Sequence, residues 1–556
     1  MTKASEMAKV SAKGGLHLLW GLVASTIISA AGTIYLANLL SSSDMGLYAL
    51  AIAAPNLIGV FRDWGVNSAL IRYTAQYNSE KQISRTKKIL IAGLTFEVIA
   101  GIILTAISFL LSALFADLYH LSAISPLIQI VSITILINAF FTVAQSAFTG
   151  FERMGLNSIT LIVQSIFKAV LVPGLVIMGL GVFGAIIGFT FAFLIAGITA
   201  TLLLWLLYRK LPQEIMHPHS LEASQSQGNK REARTNIKLL LKFGLPLSIG
   251  TIIATFQTQF YTILMGIYVS TDLIGNYSLA TTFVVLITFL ATPVTTMLFP
   301  AFSKLDPKKD KESLKSVFQF SVKYAALFVV PMAVLVMALS EPAVATLFGN
   351  KYTSTPLFLS LLAIAYLFTA FGSLSTGNFI NGQGKTSFNL KLSVITAAIG
   401  FPLSIILASQ FGVTGIILTT LVAGLPSLMI SLHWIKKHYA LTIDWVSSAK
   451  IIFSSAIAGA SSYTLQSQLT FSSLMNLLIG AAVFAAVLLP SILLTRTINQ
   501  SDVKNLRAMI TPLGPINRIL NPALNIIEKL LSIVNSSVGK SQSQLKTKET
   551  QSIKEI

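Results

Sequence analysis

The chain has 556 residues, of which 54% are hydrophobic and only 11% charged, with 39 Lys and Arg against 20 Asp and Glu for a formal net charge of +19. Soluble domains average about 25% charged residues, and a mean hydropathy of +0.76 is more than a soluble core could bury, so the sequence reads as an integral membrane protein. With no cysteine, it excludes disulfides, thiolate metal sites and cysteine nucleophiles.

Residues 1–14 read as a short N-terminal segment. The apolar run after it is of full spanning length and lacks a small-residue cleavage pattern, so it is expected to stay as a helix. A span needs about 20 apolar residues, and about fourteen stretches qualify: 15–39, 46–63, 89–115, 124–149, 156–179, 183–207, 243–269, 274–301, 317–340, 356–381, 388–409, 413–435, 449–467 and 471–494. All lysines and arginines except Lys168 and Lys351 then fall on the side of both termini, which the positive-inside rule makes cytoplasmic. The basic charge is therefore a topology signal and not a nucleic-acid surface. Residues 208–242 read as a cytoplasmic linker around the polar stretch Leu211–Thr235. Residues 495–556 read as a cytoplasmic tail, in which Pro522–Val534 suits an amphipathic helix on the inner leaflet or on the face of the bundle, and the end reads as disordered.

Three landmarks recur in order. Gly46-Leu47-Tyr48 returns as Gly275-Asn276-Tyr277; Gly150, Arg153 and Asn157 return as Gly382, Lys385 and Asn389; and "GVFGAI" from Gly181 returns as "GVTGII" from Gly412. The expected fold is thus an all-α membrane protein of two six-helix lobes, 15–207 and 243–435, with an added helix pair at 449–494. Six helices per copy relate the lobes by an axis along the membrane normal. Duplicated halves mark secondary transporters, with the substrate path between the copies. The outside loops are too short to hold a catalytic domain, and no phosphate-binding loop occurs: "GQGKTS" at Gly382 lacks the preceding glycine, so neither an ATPase nor another enzyme is expected.

An ionisable residue inside a span is a candidate site. Glu97 and Lys168 are the two, and neither has a charged counterpart in the second copy. They are read either as functional groups, Glu97 for proton coupling, or as an ion pair with one another. Gln164 lies one turn from Lys168, and Pro173 frees a helix carbonyl nearby. Arg62 and Asp63 end the second span and Arg72 follows, as cavity-mouth groups, with Asp63 a second candidate for coupling, or as anchors with a local Arg–Asp contact. A polar stripe, Thr251, Thr255, Thr258, Gln259 and Thr262, is expected either to line a cavity or to bond back to its own helix. Gly181, Gly184 and Gly188 are expected to allow close helix packing.

"LANLLSSSDMGLYALAIAAPNLIGVFRDWGVNSALIRYTAQ" at Leu36–Gln76, "GFERM" at Gly150–Met154 and "GLGVFGAIIGF" at Gly179–Phe189 resemble the multidrug/oligosaccharidyl-lipid/polysaccharide exporter superfamily, in particular its polysaccharide-biosynthesis or O-antigen flippase branch. The resemblance implies a plasma or inner membrane flippase for polyprenyl-diphosphate oligosaccharide, working by alternating access as a monomer, with membrane lipids and polysaccharide assembly enzymes as partners. A cation-coupled multidrug or metabolite antiporter is the alternative. No cofactor is expected beyond a coupling proton or sodium ion. Lys168 would meet the diphosphate, and Thr255, Gln259 and Tyr261 would border the sugars. Many relatives carry an Asp where Tyr261 stands before Gly266, which weighs against an acid-based ion site on that helix.

Overall fold

A computed structural model describes residues 3–211, 225–288, 302–469, 471–510 and scattered positions from 517 to 531. Among the described residues all regular structure is helical, as the sequence requires. In lipid the backbone has no water to bond, so it must satisfy its own donors and acceptors.

Ten helices run from the N-terminus: α1 (Lys3–Leu39), α2 (Ser42–Gly59), α3 (Val66–Ser79), α4 (Ile83–Leu110), α5 (Ser112–Leu118), α6 (Ser125–Gly150), α7 (Met154–Leu175), α8 (Gly181–Arg209), α9 (Gln225–Tyr268) and α10 (Thr271–Val284). There follow α11 (Lys311–Phe348), α12 (Thr355–Leu367), α13 (Ser373–Gly382), α14 (Thr386–Tyr439), α15 (Trp445–Gln466), α16 (Ser473–Leu494) and α17 (Gln500–Ile510). Among the described residues eight helical stretches are long and apolar enough to cross a membrane, or nine if the bent pair Thr355–Phe371 and Ser373–Gly382 is one span. Two of them, Met154–Arg209 and Thr386–Tyr439, each contain two of the expected spans. The count of fourteen is therefore not reproduced by length and composition alone.

Both long stretches reverse at glycines. Gly179 (φ +89) and Gly181 (φ +51) turn α7 into α8, and Gly412 (φ +56) breaks α14. Two of the three glycines expected to allow close packing do so: a Cβ at Gly184 would lie 2.8 Å from the Leu175 carbonyl oxygen and one at Gly188 2.7 Å from that of Leu171. Gly181 has nothing against it and serves the turn instead.

Two boundaries differ from expectation. The second span ends at Gly59, and α3 follows from Val66, within what the sequence presents as a cytoplasmic loop. Part of the expected linker is helix, since α9 begins at Gln225; 212–224, with His217 and His219, lie outside the described residues, as do Pro293, Pro300 and the end of the tail.

The chain packs as two compact units, whose boundary differs from that of the sequence repeat. The first comprises the described parts of Met1–Phe283, Leu347–Phe358 and Lys385–Ile430. Its core joins Val66, Ala69 and Leu70 of α3 to Ile89 and Leu90 of α4, Val143 and Ala147 of α6, and Leu240 of α9. Helix α9, which runs from the expected linker into the second copy, is thus built into the packing of the first.

The second unit comprises the described parts of Val284–Thr346, Leu359–Gly384 and Ser431–Ile556. Ala326 and Val330 of α11 pack with Ala370 and Ile451 of α15. Buried Asp502 fixes α17 by pairing with Lys323 at 2.7 Å and accepting from the Tyr324 hydroxyl at 3.1 Å. Asp502 and Asn499 cap one another across the first turn, each side chain accepting from the other's amide. At the start of α15, Asp444 accepts from the amide of Ser447 at 3.1 Å and from its hydroxyl at 2.5 Å. Partial burial pushes this carboxyl up, but the Ser447 bonds, with Lys323 nearby, outweigh it and hold it below the usual carboxylate range. A depressed folded value means the cap stabilises above the ordinary carboxylate pKa and is lost as pH falls through the lower folded one. Asp444→Ala is expected to cost about 1 kcal/mol at neutral pH. Thermal melts in detergent should show the gap to wild type closing below about pH 4; a gap that persists there would refute the assignment.

Candidate functional site

The first unit encloses a cavity of about 380 Å³. Its polar walls come from Ser29 and Thr33 of α1, Tyr48 and Asn56 of α2, Lys168 of α7, Gln259 and Thr262 of α9, and Tyr277, Ser278, Thr281 and Thr282 of α10, with Phe189 of α8 beside them. Both repeat copies contribute. Among the described residues of the lining Lys168 is the one charged group, and none is a carboxylate.

Small residues place Lys168 there. Gly32 of α1 sits against the backbone of Ala169, where an added Cβ would lie 2.8 Å from the Ala169 Cα, and Ser29 donates to Ser165 one turn earlier at 3.2 Å. The ammonium lies 5.5 Å from the centroid of the Phe189 ring and makes no ion pair among the described residues. A cation against an aromatic face, surrounded by hydroxyls and amides, suits an anionic, hydroxyl-rich ligand.

The copies meet at one end of the cavity, the end expected to face outside. Gly46 and Gly275 cross backbone to backbone: a Cβ on either would overlap the carbonyl of Thr271 or Ser42, respectively. Beside them the Ser42 hydroxyl bonds the Asp272 carboxylate, and the hydroxyls of Ser43 and Thr271 lie 2.6 Å apart. If Gly46 corresponds to Gly275, Ser42 corresponds to Thr271 and Ser43 to Asp272, so each contact maps onto the other. This is a pseudo-two-fold contact. Lys351, the cation expected outside, donates to the Asn38 carbonyl at the end of α1, where a positive charge favours the helix dipole. A second glycine crossing, Gly65 against Gly244, joins the α2–α3 turn to α9.

The other intramembrane charge lies elsewhere. Glu97 is fully buried and faces Arg62, whose Nε is 3.4 Å away, so its partner is Arg62 and not Lys168. Asn67 donates to Glu97 at 3.0 Å and accepts from Ser146 at 3.3 Å. Asp63 accepts from the Asn67 amide at 3.3 Å, at the head of α3. Arg72 lies over the Phe243 ring at 4.3 Å.

The structure therefore brings Lys168 and Gln259 together in the cavity, with Thr262, and leaves Gln164, Arg62, Arg72 and Thr255 out of its lining. Tyr261 is turned away: it accepts from Gln257 and packs at Gly400. Thr258 and Thr262 also bond back to α9 carbonyls, so both readings of the polar stripe hold in part. Sequence reasoning missed Tyr48, Tyr277 and the Ser278, Thr281, Thr282 row. The repeated Gly-x-Tyr was the available signal.

Comparison with known proteins agrees with this architecture. The polysaccharide biosynthesis protein family model matches residues 11–306, and the MatE model matches residues 230–406. An uncharacterised membrane protein of Methanocaldococcus jannaschii is 22% identical over 77% of this chain and 85% of its own length. The lipopolysaccharide biosynthesis protein WzxC of Escherichia coli is 22% identical over 74% of this chain and 78% of its own. The lipid II flippase MurJ of Bacillus subtilis is 22% identical over 71% and 77%. In three dimensions the fold is similar to an inward-closed lipid II flippase MurJ, with a TM-score of 0.65 at 17% identity over 86% of this chain and 98% of that one. It is also similar to an inward-facing multidrug resistance MATE family transporter, with a TM-score of 0.58 at 16% identity over 75% and 94%.

Proposed function

We propose, since this chain belongs to the polysaccharide biosynthesis protein family, that it is a membrane flippase translocating lipid-linked oligosaccharide or polysaccharide repeat units by alternating access. The observation that carries this reading is the cavity itself: one ammonium with no carboxylate among the described residues of its lining, set among hydroxyls and amides supplied by both repeat copies. Lys168 holds the phosphate of the lipid carrier, a polyprenyl diphosphate. Hydroxyl and amide side chains take over hydrogen bonds that the sugars lose on leaving water, and the polyprenyl tail stays in lipid. The relatives named for lipopolysaccharide biosynthesis and lipid II flipping support this class of cargo.

The two six-helix copies are the lobes that move, both termini face the cytoplasm of the plasma or inner membrane, and one chain supplies the whole path. The chain acts as a transporter and not an enzyme. Glu97 is a poor coupling site in the state described, because Arg62 and Asn67 already engage it.

The test is scrambling of a fluorescent polyprenyl-diphosphate oligosaccharide in proteoliposomes. Wild type should transport it, and Lys168→Ala should slow transport about 10- to 100-fold, the cost of a lost hydrogen bond to a charged group. Ion-driven dye efflux without any lipid scrambling would instead establish the antiporter.

A further inference from the structure

The segment Leu347–Phe358, from the end of α11 into α12, packs in the first unit although the chain on either side of it belongs to the second. Its hold on α10 lies within one repeat copy. Buried Asn276, next to the crossing Gly275, accepts from the amides of Ser354 and Thr355 and from the Thr355 hydroxyl, each at 3.0 Å. Those amides stand at the head of α12, where backbone donors lack partners within the helix. Phe348 adds an edge-on ring contact to Phe283 of α10, with centroids 5.5 Å apart.

Its hold on α1 crosses between the copies. A helix leaves its last carbonyls without internal partners, and this segment supplies donors to those of α1. Lys351 donates to the Asn38 carbonyl at 2.5 Å, and the Tyr352 hydroxyl donates to that of Ala37 at 2.9 Å. The Asn38 side chain returns a bond to the Leu347 carbonyl at 2.8 Å. Tyr352 is only 1% exposed, so its bond is made out of water. Leu36, one residue before Ala37, lines the cavity with Ser29 and Thr33 of the same helix. Whatever holds the end of α1 therefore holds one wall of the cavity.

On the flippase reading and the orientation above, on which this rests, we infer that Leu347–Phe358 is an outer strap, which stays with α10 and releases α1 when the cavity opens outward. The bonds to Asn276 join residues of one copy and need not change as the copies part. The bonds to α1 must break, and water admitted by the opening replaces the lost donors at its carbonyls.

The test needs no cargo. Ser278→Cys places a single thiol in the cavity, on α10, in a chain that has no other. A small charged methanethiosulfonate is applied to membrane vesicles of either orientation, and labelling is followed by mass. Labelling from outside follows the population of the outward-open state. Tyr352→Phe and Lys351→Ala each remove one bond to α1, and each should raise that rate about fivefold, the worth of one hydrogen bond. Labelling from the cytoplasmic side should not rise. An outside rate unchanged in both variants, or a rise of equal size from both sides, would overturn the strap. Neither result touches the flippase reading, which fails only if the wild type moves no lipid-linked sugar in the scrambling assay.

Discussion

Oxidation of a Ser43→Cys/Thr271→Cys double variant is expected to arrest transport, and reduction to restore it. The two hydroxyls lie 2.6 Å apart across the contact between the repeat copies, which puts sulfurs at these positions within reach of one another. The natural chain contains no cysteine, so every disulfide formed within one molecule is the intended one. In the alternating-access cycle proposed above, with both termini cytoplasmic, this contact must part once per turnover to release cargo outward. Gly46→Leu or Gly275→Leu should act in the opposite sense, because a side chain at either position overlaps the facing carbonyl and prevents closure. Complete cross-linking, verified by mass, with an unchanged scrambling rate would show that this contact does not gate the path.

The second large effect concerns Arg62. Its substitution by alanine leaves the Glu97 carboxylate fully buried with Asn67 as its remaining partner. Breaking one side of a buried ion pair costs roughly 3–5 kcal/mol, whereas replacing both partners by neutral groups of similar volume costs far less. Arg62→Ala should therefore lower the melting temperature sharply, and Arg62→Met/Glu97→Gln should recover most of the loss. A single variant within 1 kcal/mol of wild type, about the size of one ordinary hydrogen bond, would mean that the pair does little for the fold. The double variant also separates structure from coupling: if it is stable yet loses ion-driven transport only, Glu97 serves the cycle and not the scaffold.

Much of the fold was legible, because apolar runs of spanning length leave little choice but helix, and the repeat was visible in glycines whose backbone role tolerates no side chain. The helix ends were less so. Reading the second span to residue 63 put Arg62 at a membrane surface; in fact α2 stops at Gly59, and the turn folds the arginine inward onto Glu97. The sequence offered Lys168 as the partner, since composition shows which charges are intramembrane but not which helices adjoin. The polar stripe of α9 was seen as one face, yet only Gln259 and Thr262 reach the cavity. Tyr261, two residues beyond Gln259, is on another side of the helix, as positions two apart do not share a face. Tyr48 and Tyr277 were recognised as landmarks of the repeat and not as lining, because internal similarity shows which residues are equivalent without showing what they face.

The glycine crossing has a consequence for how the two states are populated. Where Gly46 meets Gly275, no side chain is immobilised on closing, so that part of the contact carries neither a rotamer penalty nor much apolar burial. Among the contacts that favour the closed form locally are two flanking polar pairs, Ser42 with Asp272 and Ser43 with Thr271. At about 1 kcal/mol each, they bias the equilibrium roughly thirty-fold, a preference that a cargo with modest differential affinity for the open form can reverse. A latch of this kind holds firmly enough to prevent leakage between turnovers and weakly enough for the ligand itself to be the key.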